Sequence, residues 1–419
     1  MNLFFDQYES GKKKWFFIAI VLFVYAVLIC TRAPQIIITG RFWAEEGKVF
    51  FYNAMVMPPL KALFNSYGGY INLVANAATL LAYTTKSIAF APYVTITIGL
   101  IFQLLPPFLI LTAKDEWLKP PLVKLAALAL LLFVPSSSEV WLQVLHCQFE
   151  LALSCALILS LEINTKKLQV FYLIILFLAP LCGPGSIVLT VPFLLRFVTD
   201  RARSRFFQFL SISIGAMLQL VFFYHTDGGR GAQHWFQPAL AAVFCREPLQ
   251  VFGGINSLTT AIILHVRTSF EGSTIGLVWP QIMTILFFGP LFIISVLFKK
   301  SRVCFWLLLA NAIFTGAALF GSIGGAVSQL DAYAGERYII VGQSLLVITI
   351  LAMFVTSTSA IRRFTPFVVL WLLVVGTHTY WHPVINRTGA PWREEVQKWQ
   401  LDHNYSIRTW PDGWFVNLP

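Results

Sequence analysis

The chain has 419 residues, of which 57% are apolar, 15% aromatic and only 12% charged. Soluble domains carry about a quarter charged residues, so this composition excludes a disordered chain and a soluble globule of this size. The mean hydropathy of +0.72 and the repeated apolar runs predict an all-α polytopic membrane protein, because helices satisfy their own backbone hydrogen bonds in lipid.

Apolar runs follow one another along the chain and predict about eleven membrane spans. The predicted spans are 15–30, 88–113, 122–135, 141–161, 168–182, 186–198, 206–224, 275–298, 303–320, 338–357 and 364–381. Two further stretches, 69–85 and 250–266, are apolar but interrupted by glycine, asparagine and threonine. These two predict interfacial or re-entrant helices on the outer face.

The net charge of +11 is distributed unevenly between the two sides of the membrane. With the N-terminus in the cytoplasm, the inner segments hold 17 basic and 6 acidic side chains, whereas the outer segments hold 13 of each. This positive-inside pattern predicts a multi-pass protein whose C-terminus lies outside. In a soluble protein the same charge would suggest nucleic acid, but here the partner is membrane lipid and no nucleic acid is expected.

All long segments between the predicted spans fall on the outer side. We therefore expect one membrane domain over 1–381, with a first outer loop at 31–87 and a second at 225–274, and a short outer C-terminal segment at 382–419. The segment 321–337 is also outer. The inner loops are short and the chain has no phosphate-binding loop ending in Gly-Lys-Ser/Thr, so we do not expect ATP-driven chemistry.

Two adjacent carboxylates, Glu45 and Glu46, lie in the first outer loop within the sequence R-F-W-A-E-E-G-K at 41–48. Beside a membrane, repulsion between the two negative charges should raise the pKa of at least one of these carboxylates. A carboxylate with a raised pKa is suited to act as a general base. The alternative is an interfacial helix, in which the two acids are solvated beside Arg41 and Lys48.

This sequence resembles the W-A-E-D-G signature of a group of bacterial proteins similar to the GT-C glycosyltransferases, with Glu46 where that group has Asp. The resemblance implies a multi-helix enzyme of the bacterial cytoplasmic (inner) membrane that takes sugar from a polyprenyl-phosphate donor on the outer face. In that superfamily an acidic pair in the first outer loop serves as catalytic base or metal contact. Here that pair is Glu45 and Glu46.

Three further segments follow the same group in the same order. Residues 139–149 resemble its N-x-Q-W or N-x-H-W element, 183–186 (G-P-G-S) resemble G-P-F-S, and 335–338 (G-E-R-Y) resemble G-D-R-Y. The resemblance implies substrate contacts at Trp43, Glu139, His146, Gln148 and Tyr338.

The residues themselves suggest related roles. Glu139 and His146 lie seven residues apart, on one face of a predicted helix, although a histidine there is more often structural. The glycines at 183–186 line a cavity or form a tight turn. Arg337 begins a span at the outer boundary, where its permanent charge suits a phosphate that leaves with the donor lipid. The alternatives for Arg337 are a salt bridge to Glu336 or Asp331, or a lipid anchor.

Other positions carry weaker predictions. Arg41 and Lys48 are secondary candidates for binding the donor phosphate. A divalent cation, Mg²⁺ or Mn²⁺, would be bound by Glu46 with His225 and Asp227, although this set is not a zinc signature. The stretch 391–401 has amphipathic helical spacing and is expected to lie along the outer surface as a small lid.

Taken with these residues, the resemblance implies an inverting hexosyl- or pentosyltransferase in cell-envelope polysaccharide biosynthesis. It would use Glu46 or Glu45 as general base and Arg337 as the phosphate ligand, and its acceptor would be a glycan or a lipid-linked molecule. The alternatives are a flippase or exporter of lipid-linked sugars, a polysaccharide polymerase, and a non-catalytic assembly subunit. The scarcity of charge at the span centres favours chemistry at one face over transport.

Overall fold

The computed structural model describes residues 11–162, 165–224, 236–298, 301–381 and 389–419. Throughout these ranges the chain is helical apart from loops and two short antiparallel hairpins. One hairpin pairs Ser66–Tyr67 with Tyr70–Ile71, and the other pairs Ile407–Arg408 with Phe415–Val416. The all-α fold class predicted from the composition is confirmed.

Seven helices within the described ranges are long and apolar enough to cross a membrane. They are Lys13–Arg32, Ala91–Thr112, Arg203–Tyr224, Trp279–Leu297, Arg302–Phe320, Glu336–Thr356 and Ser359–Trp381. Each coincides with a predicted span. They identify a multi-pass helical membrane protein.

The four other predicted spans correspond to shorter helices. These are Pro121–Leu132, Cys147–Ser160, Lys166–Leu178 and Thr190–Asp200, with 11 to 14 residues each. At 1.5 Å per residue, such helices cover roughly 16 to 21 Å, which is less than the ~30 Å hydrocarbon core. The count of eleven spans therefore stays a prediction.

One predicted helix begins later than expected. The span at 141–161 was expected to carry both Glu139 and His146, but its helix starts at Cys147. Glu139 lies in the 3-10 turn Ser138–Val140, and Leu142 has a left-handed backbone with φ of 52°. An apolar run does not distinguish a helix from buried irregular chain, so this prediction was wrong.

The two interrupted stretches also form short helices. Residues 69–85 hold part of the first hairpin and the helix Leu73–Thr84, and 250–266 hold Gln250–Gly253 and most of Ser257–Thr268. The remaining short helical elements are Pro34–Thr39, Glu46–Phe51, Tyr52–Val56, Pro59–Leu63, Glu116–Leu118, Pro180–Cys182, Pro184–Leu189, Phe236–Phe244, Cys245–Leu249, Gly325–Ser328 and Trp392–Leu401.

The helix Glu336–Thr356 lies at the centre of the protein. Protein atoms bury 78% of its most apolar stretch, compared with 22% for Trp279–Leu297 and 11% for Ser359–Trp381. It packs mainly against Arg302–Phe320 and Cys147–Ser160. A helix that is apolar on all sides belongs in such a buried position, whereas the two peripheral helices present their apolar side chains to lipid.

The C-terminal segment packs on the chain that follows the first long helix. The helix predicted at 391–401 is confirmed as Trp392–Leu401. Trp392 is buried with its ring edge against Phe42, at 4.9 Å between centroids, and its Nε1 donates to the Ile88 carbonyl at 2.8 Å. The Trp410 N–H donates to the Phe42 carbonyl at 3.0 Å. This segment therefore helps to hold the loop that carries Glu45.

Candidate functional site

A cavity of about 660 Å³ draws side chains from distant parts of the sequence. Seven of the residues predicted from the sequence line it: Trp43, Glu45, Glu139, His146, Gln148, Arg337 and Tyr338. Its volume is in the range of pockets that enclose small organic ligands. The predicted candidates Arg41, Glu46 and Lys48 are not among the lining residues.

Of the two adjacent acids, Glu45 is the one that lines the cavity. Its side chain is partly exposed, and it follows Ala44, whose backbone has a φ of 41°. Residues with a Cβ rarely adopt this left-handed conformation, and such strain is common at functional sites. The Ala44 N–H donates to the Trp410 carbonyl, so the C-terminal segment helps to hold this conformation.

Glu46 is buried behind the cavity wall, with 1% of its surface exposed. Its Oε2 accepts the Trp43 N–H at 2.9 Å and its Oε1 accepts the Val144 N–H at 3.4 Å. Burial raises the pKa of Glu46, while these hydrogen bonds and the charge of Arg41 oppose the rise. Glu46 thus joins the segment that contains Trp43 to the segment before Cys147. A metal ion at Glu46 would have to displace these backbone donors.

Arg41 is also buried, and it contacts residues of the same two segments as Glu46. Its guanidinium donates to the Trp141 carbonyl at 2.5 Å and lies 4.7 Å from the ring centre of Trp43. Burial lowers the pKa of Arg41 to about 10, so it remains cationic at neutral pH. Lys48 is exposed, with its ammonium 5.5 Å from the ring centre of Trp414. The structure thus places both secondary phosphate candidates away from the cavity lining.

Arg337 lies in the cavity and forms an ion pair with Glu139. The side chain of Arg337 is 28% exposed and that of Glu139 only 6%. Within the described residues, Glu139 is the only side chain that accepts a hydrogen bond from this guanidinium, which has five N–H donors. Donors therefore remain for an anionic ligand.

The sequence suggested Glu336 or Asp331 as the salt-bridge partner of Arg337, and both predictions were wrong. Glu336 is fully buried, and its Oε2 accepts from the Ser138 hydroxyl at 2.5 Å and the Glu139 N–H at 3.0 Å. Asp331 pairs with Arg267 at 3.1 Å. The true partner, Glu139, is close in space but far away in the chain, which local spacing does not reveal.

His146 lines the cavity as a neutral side chain. Burial lowers the pKa of His146 to about 3, and the charge of Arg41 contributes. Its Nδ1 lies 3.1 Å from the Glu139 carbonyl. A hydrogen bond to a carbonyl requires the proton on Nδ1, which leaves Nε2 as an acceptor.

The turn at 183–186 makes room for Gln148. A methyl group on Gly183 would overlap the carboxamide of Gln148, so the glycine permits this close approach. Gln148 Nε2 in turn donates to the Tyr70 hydroxyl at 3.5 Å. The turn was predicted either to line a cavity or to be a simple turn, and in the structure it supports a lining side chain.

Sequence reasoning missed several lining residues. Tyr67 and Tyr70 come from the first hairpin, Trp414 comes from the C-terminal segment, and 322–324 form a loop after Arg302–Phe320. The Y-G-G-Y sequence at 67–70 was a signal for a tight turn between two aromatic residues. With Trp43 and Tyr338, these side chains give the cavity flat apolar faces beside polar groups, a combination that suits a sugar ring.

No group of three or more His, Cys, Asp and Glu side chains in the described ranges is placed to hold a metal ion. His225 and Asp227, predicted as metal ligands with Glu46, lie outside the described residues. The Mg²⁺ or Mn²⁺ site therefore stays a prediction.

No protein-family model, curated protein or solved structure matches this chain.

Proposed function

We propose that this protein is an integral-membrane glycosyltransferase of the GT-C kind. It transfers a hexosyl or pentosyl group from a polyprenyl-phosphate donor to a glycan or lipid-linked acceptor. The main support is that two groups line the same cavity: the partly exposed Glu45 carboxylate, and the Arg337 guanidinium, which has donors left over within the described residues. A base and a phosphate ligand in one cavity are what this reaction requires.

In this mechanism Glu45 removes the proton from an acceptor hydroxyl as its oxygen attacks the anomeric carbon. The bond between that carbon and the phosphate oxygen breaks, and the polyprenyl phosphate leaves with the electron pair. Arg337 stabilises the charge that develops on the phosphate. Attack opposite to the leaving group inverts the configuration of the sugar.

Burial favours Glu45 over Glu46 as the base. The Glu46 carboxylate already accepts two backbone N–H groups and is 1% exposed. Its proposed role is to position the loop that presents Glu45. The sequence left the choice between the two acids open.

The sidedness of the cavity agrees with the proposed topology. Lining residues come from 31–87, from 139–149 at the predicted outer end of a span, from 322–338 and from the C-terminal segment. All of these are predicted to lie at or near the outer face. With eleven spans, the N-terminus inside and the C-terminus outside, the reaction faces the outside of a bacterial cytoplasmic membrane. Cell-envelope polysaccharides are built there from lipid-linked donors.

The proposal is tested by sugar transfer with the purified protein in nanodiscs. Radiolabelled polyprenyl-phosphate hexoses and pentoses are offered with an extract of envelope glycans as acceptor. Glu45→Gln should lower turnover by roughly 10²- to 10⁴-fold. Glu116→Gln is the matched control, because that carboxylate is 85% exposed and does not line the cavity. Wild-type turnover by Glu45→Gln would contradict the proposal.

A flippase or exporter of lipid-linked sugars is the second candidate. It is favoured by Glu150 and Glu247, two carboxylates that lie among the membrane helices, since such residues often mark transport pathways. Movement of an intact donor across a proteoliposome, without cleavage of its sugar–phosphate bond, would support this candidate. A polysaccharide polymerase would instead extend a glycan without consuming the polyprenyl-phosphate sugar.

A further inference from the structure

A second cavity, of about 180 Å³, lies between the helices Phe236–Phe244, Trp279–Leu297 and Arg302–Phe320. Four phenylalanine rings line it together with small residues; the rings are Phe236, Phe288, Phe292 and Phe320. A methyl group added to Gly316, another lining residue, would meet open space. The cavity is far smaller than the 660 Å³ site and shares no lining residue with it.

This second cavity opens at a surface of exposed apolar side chains. Ala312, which lines it, is exposed, and Phe236 is 60% exposed. The neighbouring surface of Trp279–Leu297 is apolar, with Ile285 and Leu286 about as exposed as Phe236. A ligand would therefore enter from the membrane.

Glu247 is the acidic residue of this cavity. The side chain is fully buried, and its Oε2 accepts from Asn311 Nδ2 at 2.9 Å. The Thr315 hydroxyl donates to Asn311 Oδ1 at 2.8 Å, which fixes the orientation of the amide. Within the described residues, Oε1 of Glu247 accepts no well-aligned hydrogen bond, and it lies beside Gly342 and the Thr315 hydroxyl.

No basic side chain in the described part of the chain pairs with Glu247. The adjacent Arg246 turns its guanidinium to the loop before Glu336–Thr356, where it donates to the carbonyls of Gln329 and Ala334 at 3.0 and 2.8 Å. An unpaired buried carboxylate is costly, so it must take up a proton or a cationic ligand. The phenylalanine rings favour a cationic ligand, because aromatic faces attract ammonium groups.

We propose that this cavity binds the ammonium head group of an amphiphile from the membrane, with Glu247 as its counter-ion. The Glu247 carboxylate meets the positive charge, the phenylalanine rings surround the methyl or methylene groups, and the alkyl chain extends into lipid. The site is separate from the proposed transfer site, so the two proposals are tested independently.

The test is equilibrium binding of radiolabelled dodecyltrimethylammonium to the full-length protein in nanodiscs of phosphatidylglycerol. We expect saturable binding that excess dodecylamine displaces and excess dodecanol does not. Glu247→Gln should weaken it by about ten- to hundredfold, because the charge-assisted contact is lost. Glu150→Gln is the control, since that carboxylate lines a different cavity and should leave binding unchanged.

A second variant keeps the test independent of any folding defect in Glu247→Gln. Gly316→Leu fills the open space of the cavity and should abolish binding while the protein keeps its thermal unfolding temperature. The proposal is overturned if Glu247→Gln binds like the wild type, if dodecanol competes as well as dodecylamine, or if no saturable binding is seen.

Discussion

Glu139 holds Arg337 at two points, because its carboxylate pairs with the guanidinium and its Oε2 also accepts the Arg337 backbone N–H at 3.1 Å. In addition, the Glu336 carboxylate accepts the Glu139 backbone N–H at 3.0 Å. The start of Glu336–Thr356 is thus fixed to the 3-10 turn Ser138–Val140. The cation that we assign to the phosphate is therefore oriented before any ligand arrives, which is what electrostatic stabilisation of a leaving group requires.

This arrangement predicts that Arg337→Lys impairs sugar transfer although the charge is kept. A lysine lacks the planar set of donors that engages Glu139 and a phosphate together. We expect turnover to fall by about 10²-fold, as measured with a labelled donor. Arg267→Lys is the control, because that arginine lies outside the cavity lining. Equal losses in the two variants would argue against a special role for Arg337.

Substitutions of the two adjacent glutamates should have different effects, one on sugar transfer and the other on stability. Glu45→Gln should lose transfer with little change in unfolding temperature, because its side chain is partly exposed. Glu46→Gln should lower the free energy of unfolding by about 1 to 3 kcal/mol, because an amide group would face backbone donors in a buried place. Thermal unfolding in detergent and labelled-sugar transfer distinguish the two. If the Glu46→Gln variant were stable but inactive, Glu46 and not Glu45 would be the general base.

The helical architecture was largely predictable, because the length of an apolar run reports directly on a membrane helix. All seven long helices coincide with predicted spans. The order of short motifs also pointed to Glu45, Glu139, His146 and Arg337, which the fold gathers in one cavity.

The pairing within the site was not predictable, since it depends on contacts between residues far apart in the chain. The ion pair between Glu139 and Arg337 spans 198 positions, and no local pattern encodes it. Glu46 likewise accepts the N–H of Val144, which lies 98 positions further along the chain. The irregular chain before Cys147 looked helical because buried loops and buried helices share an apolar composition.

The turn at Gly183 predicts a defect that acts through Gln148. Gly183→Ala forces the carboxamide of Gln148 to move, since a methyl group would overlap it. Overpacking of this kind costs about 1 to 3 kcal/mol, and the displaced amide should also reduce transfer. Gly289→Ala is the matched control, because a methyl group there meets open space within a helix. Unchanged transfer by Gly183→Ala would remove Gln148 from the site.

Asp115 predicts how stability changes with pH. Its Oδ1 accepts the Glu162 N–H at 3.1 Å, and its Oδ2 has no partner within the described residues. Burial and then the charge of Glu162 raise the pKa of Asp115 to about 6, while the hydrogen bond from the Glu162 N–H and the charge of Arg205 oppose the rise. The folded protein therefore binds this proton more tightly than the unfolded chain.

The stabilisation from this proton is complete below about pH 4 and is lost as the pH rises through about 6. Asp115→Asn should remove that dependence and be more stable than the wild type at pH 7. Unfolding temperatures measured from pH 4 to 7.5 check this. Parallel curves for the two proteins would show that Asp115 does not titrate in this window.

A cryo-electron microscopy structure of the protein in nanodiscs with bound polyprenyl phosphate tests the central claim most directly. We predict the phosphate inside the 660 Å³ cavity, within hydrogen-bonding distance of Arg337, and Glu45 on the wall of the same space. A phosphate bound at the other end of the membrane helices, beside Arg196 and Arg302 with the cavity empty, would contradict the account.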